Sequence, residues 1–196
     1  KMDSLNSTIV IPRGEWGINK NLIIPEGYMF IVESGTILNF TDSSLVLSYS
    51  PLKFEGDIDQ PIKLVSTDST GKGILVFSDG RKSKFNNVII NNLNNTLNTK
   101  LNITGAITFF ESPVDLENSL FTNIKSEDAL NIINTDFVIE NVTFKNCSSD
   151  ALDADFCNGS IINSIFVNLG NDAIDISGSN ILIDRVIINK ALDKGI

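Results

Sequence analysis

The sequence predicts an all-β fold, a right-handed parallel β-helix in which the chain winds through about eight coils of roughly 22 residues. Three observations lead to this prediction. Nearly identical six-residue segments recur at a fixed spacing. The residues between them are β-branched or aromatic and largely alternate, and asparagine, glycine, aspartate and serine separate these runs. No stretch has a convincing apolar period of 3.6 residues, which disfavours a helical solenoid. The signature of a leucine-rich repeat is also missing, which disfavours a leucine-rich-repeat solenoid.

The repeat is clearest in three segments of the second half: NSLFTN at 118–123, NVTFKN at 141–146 and NSIFVN at 163–168. Weaker copies are NNVIINN at 86–92 and DRVIIN at 184–189. From residue 127 onward, EDALNI, SDALDA, NDAIDI and DKGI follow one another at equal steps, each the length of one predicted coil. Self-similarity at such a period indicates that each repeat is one turn of a solenoid and buries its apolar face against its neighbours.

Strands are predicted wherever the alternating runs occur. In the second half these are DFVIENVTF (136–144), GSIINSIFV (159–167) and NILIDRVII (180–188). In the first half, segment 21–40 gives three strand runs broken by turn residues, and SLVLS, PLKFEG, PIKLVS and GILVFS follow. Asparagine, with 24 residues, recurs between runs at positions where its tolerance of left-handed backbone angles suits a corner.

The polar segment 91–105 interrupts the repeat, and we expect it to be a loop leaving the coil. No linker of the kind that separates domains is present, so residues 1–196 are predicted to form a single β-helix domain. Since the chain opens on Lys1-Met2 and stops at Ile196 in mid-repeat, we expect it to be a fragment that continues into further coils or other domains.

Charge and composition exclude several functions. The net charge is −9, which disfavours nucleic acid as a partner because phosphate binding needs a basic face. Histidine is absent, so no Ser-His-Asp triad, Cys-His pair or His-rich zinc site can form within this segment. No apolar run reaches the roughly 18 residues of a membrane span, and we expect no membrane insertion.

The two cysteines, Cys147 and Cys157, leave two interpretations open. They could form a short-loop disulfide. Packing as a small apolar group is favoured, because Cys147 falls at the repeat position held by Ile124 and Leu169.

The constellation with chemical promise is an acidic ledge, defined as Asp150, Asp153, Asp155, Asp172 and Asp175. Alternation in NDAIDI puts Ile174 and Ile176 inward, so Ala173 and Asp175 are expected to point outward. The repeat phase then stacks Asn131, Asp153 and Asp175 in one outward column, with Asp155 and Ser177 in the next. Asp128, Asp150 and Asp172 form a third column, which ends at Lys194.

Carboxylates stacked on rungs about 4.8 Å apart repel one another, and three interpretations follow. The aspartates can be solvated corner residues that bind the backbone of their own turn, which is the preferred interpretation. They can bind calcium, with Asp153 and Asp175 as the metal ligands. They can also be an acid–base pair for glycoside hydrolysis. Phe109-Phe110-Glu111, beside segment 91–105, could form a sugar-stacking shelf, but core packing of the rings is the preferred interpretation.

Stretches at both ends of the chain resemble known proteins. The pattern IPEG and VESGTIL followed by EGDIDQPIKLVS, within 21–66, resembles the opening coils of bacterial right-handed β-helix proteins. SDALDA and NDAIDIS resemble rungs of the pectate-lyase-like superfamily. This resemblance covers nearly the whole chain and implies the fold; it implies little about activity, because lyases, hydrolases, epimerases and non-catalytic surface domains share that fold.

The resemblance implies a bacterial secreted or cell-surface protein with a polysaccharide or other cell-surface ligand. Related glycosidases that attack polygalacturonan carry a histidine and an Arg-Ile-Lys element, and this chain has neither. We therefore expect a non-catalytic β-helix module that acts as a scaffold or binds carbohydrate at the acidic ledge. The alternative is a calcium-dependent polysaccharide lyase, or another carbohydrate-active enzyme, with some catalytic residues outside this segment.

Overall fold

The computed structural model describes residues 2–3, 5–78, 80–95 and 103–196. Within these ranges the chain forms 24 strands, and no helix there is long and apolar enough to cross a membrane. The strands in chain order are β1 (Met2–Asp3), β2 (Thr8–Ile11), β3 (Glu15–Ile18), β4 (Leu22–Ile24), β5 (Met29–Val32), β6 (Ile37–Phe40), β7 (Leu45–Ser48), β8 (Leu52–Glu55), β9 (Ile62–Val65), β10 (Gly73–Val76), β11 (Ser83–Asn86), β12 (Val88–Asn91), β13 (Gly105–Phe110), β14 (Val114–Glu117), β15 (Leu120–Thr122), β16 (Asp128–Ile133), β17 (Asp136–Glu140), β18 (Thr143–Cys147), β19 (Asp150–Asp155), β20 (Asn158–Ile162), β21 (Ile165–Leu169), β22 (Ile174–Ser177), β23 (Asn180–Asp184) and β24 (Ile187–Ala191).

Three stacked sheets collect these strands, each sheet taking one strand from successive coils. Sheet A has the order β1-β2-β5-β8-β11-β14-β17-β20-β23, sheet B runs from β3 through β6, β9, β12, β15, β18 and β21 to β24, and sheet C runs from β4 through β7, β10, β13, β16 and β19 to β22. All neighbours pair in parallel except β1, which lies antiparallel to β2. The chain is therefore a parallel β-helix of about eight turns of roughly 23 residues, and the predicted fold class is confirmed.

The length of a coil varies along the molecule. Between β17 and β20, Asp136 lies opposite Asn158, one predicted repeat later. In the middle of the chain, Lys53 lies opposite Lys84 and Lys84 opposite Asp115, so both of these coils are longer than the repeat. The second contains the predicted 91–105 loop, of which 96–102 lies outside the described residues. Its flanks pack against the helix, since Leu93 and Ile103 are fully buried.

Aromatic side chains stack inside the coil, because the apolar residues of all three sheets point inward. In sheet B the rings of Phe121, Phe144 and Phe166 follow one another at centroid distances of 4.7 and 4.9 Å and are nearly parallel. This spacing is the rung spacing of a parallel sheet, so identical residues in register stack directly on one another. The repeat seen in the sequence is thus a packing requirement of the core.

Asparagines occupy the corners, as the sequence predicts, and their side chains form two hydrogen-bonded ladders there. Six of them hold positive φ angles between 48° and 57°: Asn118, Asn123, Asn141, Asn146, Asn163 and Asn168. The amide of Asn141 donates to Asn118 Oδ1 at 2.6 Å, and that of Asn168 donates to Asn146 Oδ1 at 2.8 Å. These two amides, with those of Asn118, Asn123 and Asn146, each join their coil to the one before it.

Both cysteines are free thiols and both are buried. Cys147 lies opposite Leu169 in sheet B, and burial raises the pKa of its thiol to about 12. The interpretation of the cysteines as packed apolar groups is confirmed.

Candidate ligand-binding face

The acidic ledge lies on the outer face of sheet C, in columns set by the strand register. The inner face of this sheet carries core residues such as Leu130 and Ile132, so alternate residues point outward. The first outward set, here called the polar column, consists of Thr108, Asn131, Asp153 and Asp175. The second, here called the aromatic-acidic column, consists of Tyr49, Phe77, Phe110, Ile133, Asp155 and Ser177.

The pairing between neighbouring strands of sheet C skips one residue near the start of each strand, before the residues of these columns. The register passes from Asp128 opposite Asp150 directly to Leu130 opposite Leu152 and skips the alanine between them. Ala129, Ala151 and Ala173 are all fully buried in the core. The prediction that Ala173 points outward is therefore wrong, because it assumed unbroken alternation through the strand.

Asp150 and Asp172 serve the corner that begins each rung. Asp150 Oδ1 accepts the backbone N–H of Asp172 at 2.8 Å, and Asp172 Oδ1 accepts that of Lys194 at 2.7 Å. Each carboxylate thus satisfies a backbone donor of the following coil. The corner interpretation expected these two carboxylates to bind the backbone of their own turn, and they bind the backbone of the following coil instead.

Asp128 is a buried acid that the sequence places only as a member of the corner column. Its side chain is 3 % exposed and accepts a hydrogen bond from the hydroxyl of Thr104. Burial raises the pKa of Asp128 to about 7, the Thr104 hydrogen bond opposes that rise, and the charges of Asp150 and Glu127 add to it. Thr104, which donates to this carboxyl, belongs to the 91–105 segment, whose path the sequence pattern does not specify.

Asp153 is the centre of the cluster. Its Oδ2 accepts a hydrogen bond from Asn131 Nδ2 at 2.9 Å. Burial is the largest cause that raises the pKa of Asp153 to about 8, and neighbouring carboxylates contribute the rest: Asp128, Asp155, Asp175 and Asp150. Burial, and then the charge of Asp175, also raises the pKa of Asp155. The repeat phase correctly places Asp153 opposite Asp175 and Asp155 opposite Ser177.

Two polar atoms of the polar column are buried without a hydrogen-bond partner. They are Thr108 Oγ1 and Asn131 Oδ1. Thr108 is fully buried and Asn131 is 2 % exposed, and the two residues face each other on neighbouring rungs. An unpartnered buried polar atom costs about 1–3 kcal/mol, so this pair requires an explanation.

Aromatic rings extend the face toward the N-terminal coils. Tyr49 stacks on Phe77 at 6.1 Å, and Phe77 meets Phe110 at 5.4 Å. Tyr49 is 43 % exposed, and Phe77 and Phe110 are half-buried. The sequence interpretation of Phe109 as core is correct, whereas Phe110 lies on the outer face, and the sugar-stacking role of that position stays a prediction.

The residues of the ledge do not form a metal-binding group in this arrangement. Among the residues that the structure describes, no three His, Cys, Asp or Glu side chains are placed to hold a metal ion. Asp150 and Asp172 are committed to backbone N–H groups, and Asp153 is held by Asn131. The geometry therefore gives the predicted calcium ligands Asp153 and Asp175 no third partner, and the calcium site stays a prediction.

In the described part of the chain, no ion pair joins a cation to the ledge, although Lys194 follows Asp172 in the corner column and binds it through its backbone N–H. The recorded ion pairs are Lys53–Glu55, Lys82–Asp115 and Arg185–Asp184, and none of them joins a ledge carboxylate. A lyase needs a positive group beside the substrate carboxylate to help remove the neighbouring proton.

Comparison with known proteins adds no assignment: no family model, no curated protein and no solved structure matches the chain.

Proposed function

We propose that this chain is a non-catalytic β-helix module of the pectate-lyase-like type, from an exported or cell-surface bacterial protein, and that the outer face of sheet C binds carbohydrate. The observation that carries the proposal is the aromatic-acidic column, in which three ring-bearing side chains lead through Ile133 to Asp155. Rings offer apolar contact to sugar faces, and carboxylates accept hydrogen bonds from hydroxyls.

The rung spacing supports a chain-like ligand. Successive members of the column are about 4.8 Å apart, so the six positions form a straight track parallel to the helix axis. An extended polymer lying along this track meets one side chain per rung. A compact ligand would use only part of it.

A second candidate is a carbohydrate-active enzyme in which Asp153 donates a proton. The raised pKa of Asp153, about 8, favours it, because a general acid must hold its proton near neutral pH. Among the described residues no lysine or arginine forms an ion pair with a ledge carboxylate, which weighs against the lyase form of this candidate.

Binding to soluble polysaccharides, measured by affinity gel electrophoresis, tests the proposal. Tyr49→Ala should weaken binding about tenfold, because it removes an exposed ring worth about 1.4 kcal/mol of contact. Leu182→Ala is the matched control, since Leu182 is 61 % exposed on the outer face of sheet A and should leave binding unchanged.

Two results would overturn this function. Equal binding by wild type and Tyr49→Ala would show that the ligand does not bind to the outer face of sheet C. Release of unsaturated or reducing ends during the assay would make the chain an enzyme, and the second candidate would replace the first.

A further inference from the structure

The corner beside the aromatic-acidic column carries an exposed aromatic ring. We propose that Phe156 is a sugar-binding residue at the C-terminal end of the outer face of sheet C, and that this face therefore prefers glycans long enough to reach from Phe110 to Phe156. This inference rests on the proposed carbohydrate-binding function. It adds a binding residue and a length requirement for the ligand.

The backbone conformation of Phe156 is the first support. Strands β13, β16, β19 and β22 are each followed by a corner residue with a positive φ angle: Glu111, Asn134, Phe156 and Gly178, at 50°, 52°, 56° and 63°. Left-handed backbone suits glycine and asparagine and is unfavourable for a bulky side chain. Of the non-glycine residues with positive φ in the described ranges, only Phe156 has an apolar side chain. Residues held in such conformations cluster at ligand-binding sites.

The exposure of the ring is the second support. Phe156 is 67 % exposed, although burial of an aromatic ring is favourable. The ring leans over Gly178 of the following coil, where an added β-carbon would lie 2.7 Å from Cδ1 and 2.8 Å from Cε1 of Phe156. Glycine at this position leaves room for the ring, and most of the surface of Phe156 stays available to a ligand.

Polar neighbours of the ring favour a sugar over a protein surface as its partner. Asp155 precedes Phe156 in the aromatic-acidic column, and Ser177 lies opposite Asp155 on the next rung. The exposed Asn134 occupies the same corner one coil earlier. The core of a protein interface is apolar, whereas Phe156 is a single ring among hydrogen-bonding groups. A pyranose offers an apolar face to the ring and hydroxyl groups to these neighbours.

The strand register gives the distance that a ligand must span. Phe110, Ile133 and Asp155 lie opposite one another on successive rungs, so Phe156 lies two rungs beyond Phe110. At about 4.8 Å for each rung, the two aromatic residues are about 10 Å apart along the helix axis. A short oligosaccharide contacts only the rings that end at Phe110, and a longer one also reaches Phe156.

Calorimetric titration with oligosaccharides of graded length tests this requirement. The probes are β-linked glucose, mannose and xylose oligomers, from disaccharides upward. Wild-type affinity should rise about tenfold once the oligomer reaches Phe156, as expected for an added ring contact. Phe156→Asn should lose this rise and bind short oligomers as wild type does.

Two further variants control the binding measurement. Phe156→Trp keeps an aromatic ring at the corner and should keep the rise in affinity. Ile58→Asn is the matched control, because it makes a similar apolar-to-polar change at an 84 % exposed residue between β8 and β9. It should bind oligomers of every length as wild type does.

Urea denaturation tests the backbone strain without any ligand. Asparagine tolerates the left-handed conformation that the repeat has at Asn134, so the unfolding midpoint of Phe156→Asn should lie above that of wild type. A lower midpoint would show that the ring supports the fold, and would overturn its assignment as a binding residue.

The binding outcomes separate this inference from the function on which it rests. Equal affinities of wild type and Phe156→Asn at every length, with Tyr49→Ala still impaired, overturn the inference while carbohydrate binding stands. Self-association of wild type that Phe156→Asn abolishes, without a change in oligomer affinity, assigns the ring to a protein interface and overturns the inference as well. Failure of wild type to bind any oligomer or soluble polysaccharide overturns the proposed function and the length requirement with it.

Discussion

The inside and the outside of the same coils obey different rules. Inside sheet B, one position holds Phe121, Phe144 and Phe166 on successive rungs. Outside sheet C, one position changes from Phe110 to Ile133 to Asp155 over the corresponding rungs. The core must fit the same neighbours at every step, whereas the outer face has no such constraint. Outer positions whose residue changes from rung to rung, while the core position stays the same, are therefore the ones at which a ligand-binding face can evolve.

The largest loss of stability is expected from a substitution in the core, Phe144→Ala. Phe144 is fully buried between two parallel rings, so its removal leaves a cavity that rigid strands cannot fill. The free energy of unfolding should fall by about 3–5 kcal/mol, measured by urea denaturation. Leu182→Ala, on the outer face of sheet A, should cost less than about 1 kcal/mol. Equal losses in both variants would contradict the distinction between inside and outside.

An intermediate effect is expected from pH, through the acids of the outer face. The pKa of Asp153 is about 8 in the folded chain, well above the ordinary value of 3.8, so the folded state holds a proton that the unfolded state releases. Its contribution to stability is complete below about pH 4, declines as the pH rises toward 8 and is then lost. Asp128, with a raised pKa of about 7, acts in the same direction.

Urea denaturation of wild type and Asp153→Asn at pH 5, 7 and 9 measures this slope. The variant should lose most of the decline and should be the more stable protein at pH 9. A wild type that becomes more stable between pH 5 and 8, with the same slope in the variant, would show that Asp153 is ionised throughout.

The smallest effect distinguishes two aspartates of the acidic ledge. Asp150→Ala removes the acceptor for the Asp172 N–H group and should cost about 1–2 kcal/mol. Asp175→Ala changes an exposed side chain and should stay within about 0.5 kcal/mol of wild type. Thermal unfolding compares them, and the reverse order would mean that the corner bond contributes nothing.

The sequence predicts which residues lie opposite one another on neighbouring strands, because the repeat determines the strand register. The repeat phase correctly placed Asp153 beside Asp175, and Asp150 beside Asp128, because parallel register follows the repeat one residue at a time. It could not place the orientation of Ala173, since a skipped position in the ladder leaves no trace in an alternating pattern. The charge of Asp128 nevertheless raises the pKa of Asp153, a coupling between two columns that the repeat phase does not predict.

Features that depend on the 91–105 segment were harder to predict. This insertion resets the phase between β12 and β13, so the outward position of Phe110 could not be fixed from the repeat. The hydrogen bond to the buried Asp128 comes from Thr104, whose position the repeat does not set. Long-range contacts of an aperiodic segment require the folded chain, and these contacts shape the candidate site.

The register also determines how the molecule would respond to force. Each coil is bonded only to the coils before and after it, so tension between the chain ends would detach coils one at a time. A short coil, such as the one from Asp136 to Asn158, would release about 75 Å of extended chain. A long coil, such as the one from Lys84 to Asp115, would release about 105 Å. The unequal coils would therefore appear as two step lengths in a force–extension record, and their order would report the direction of unravelling.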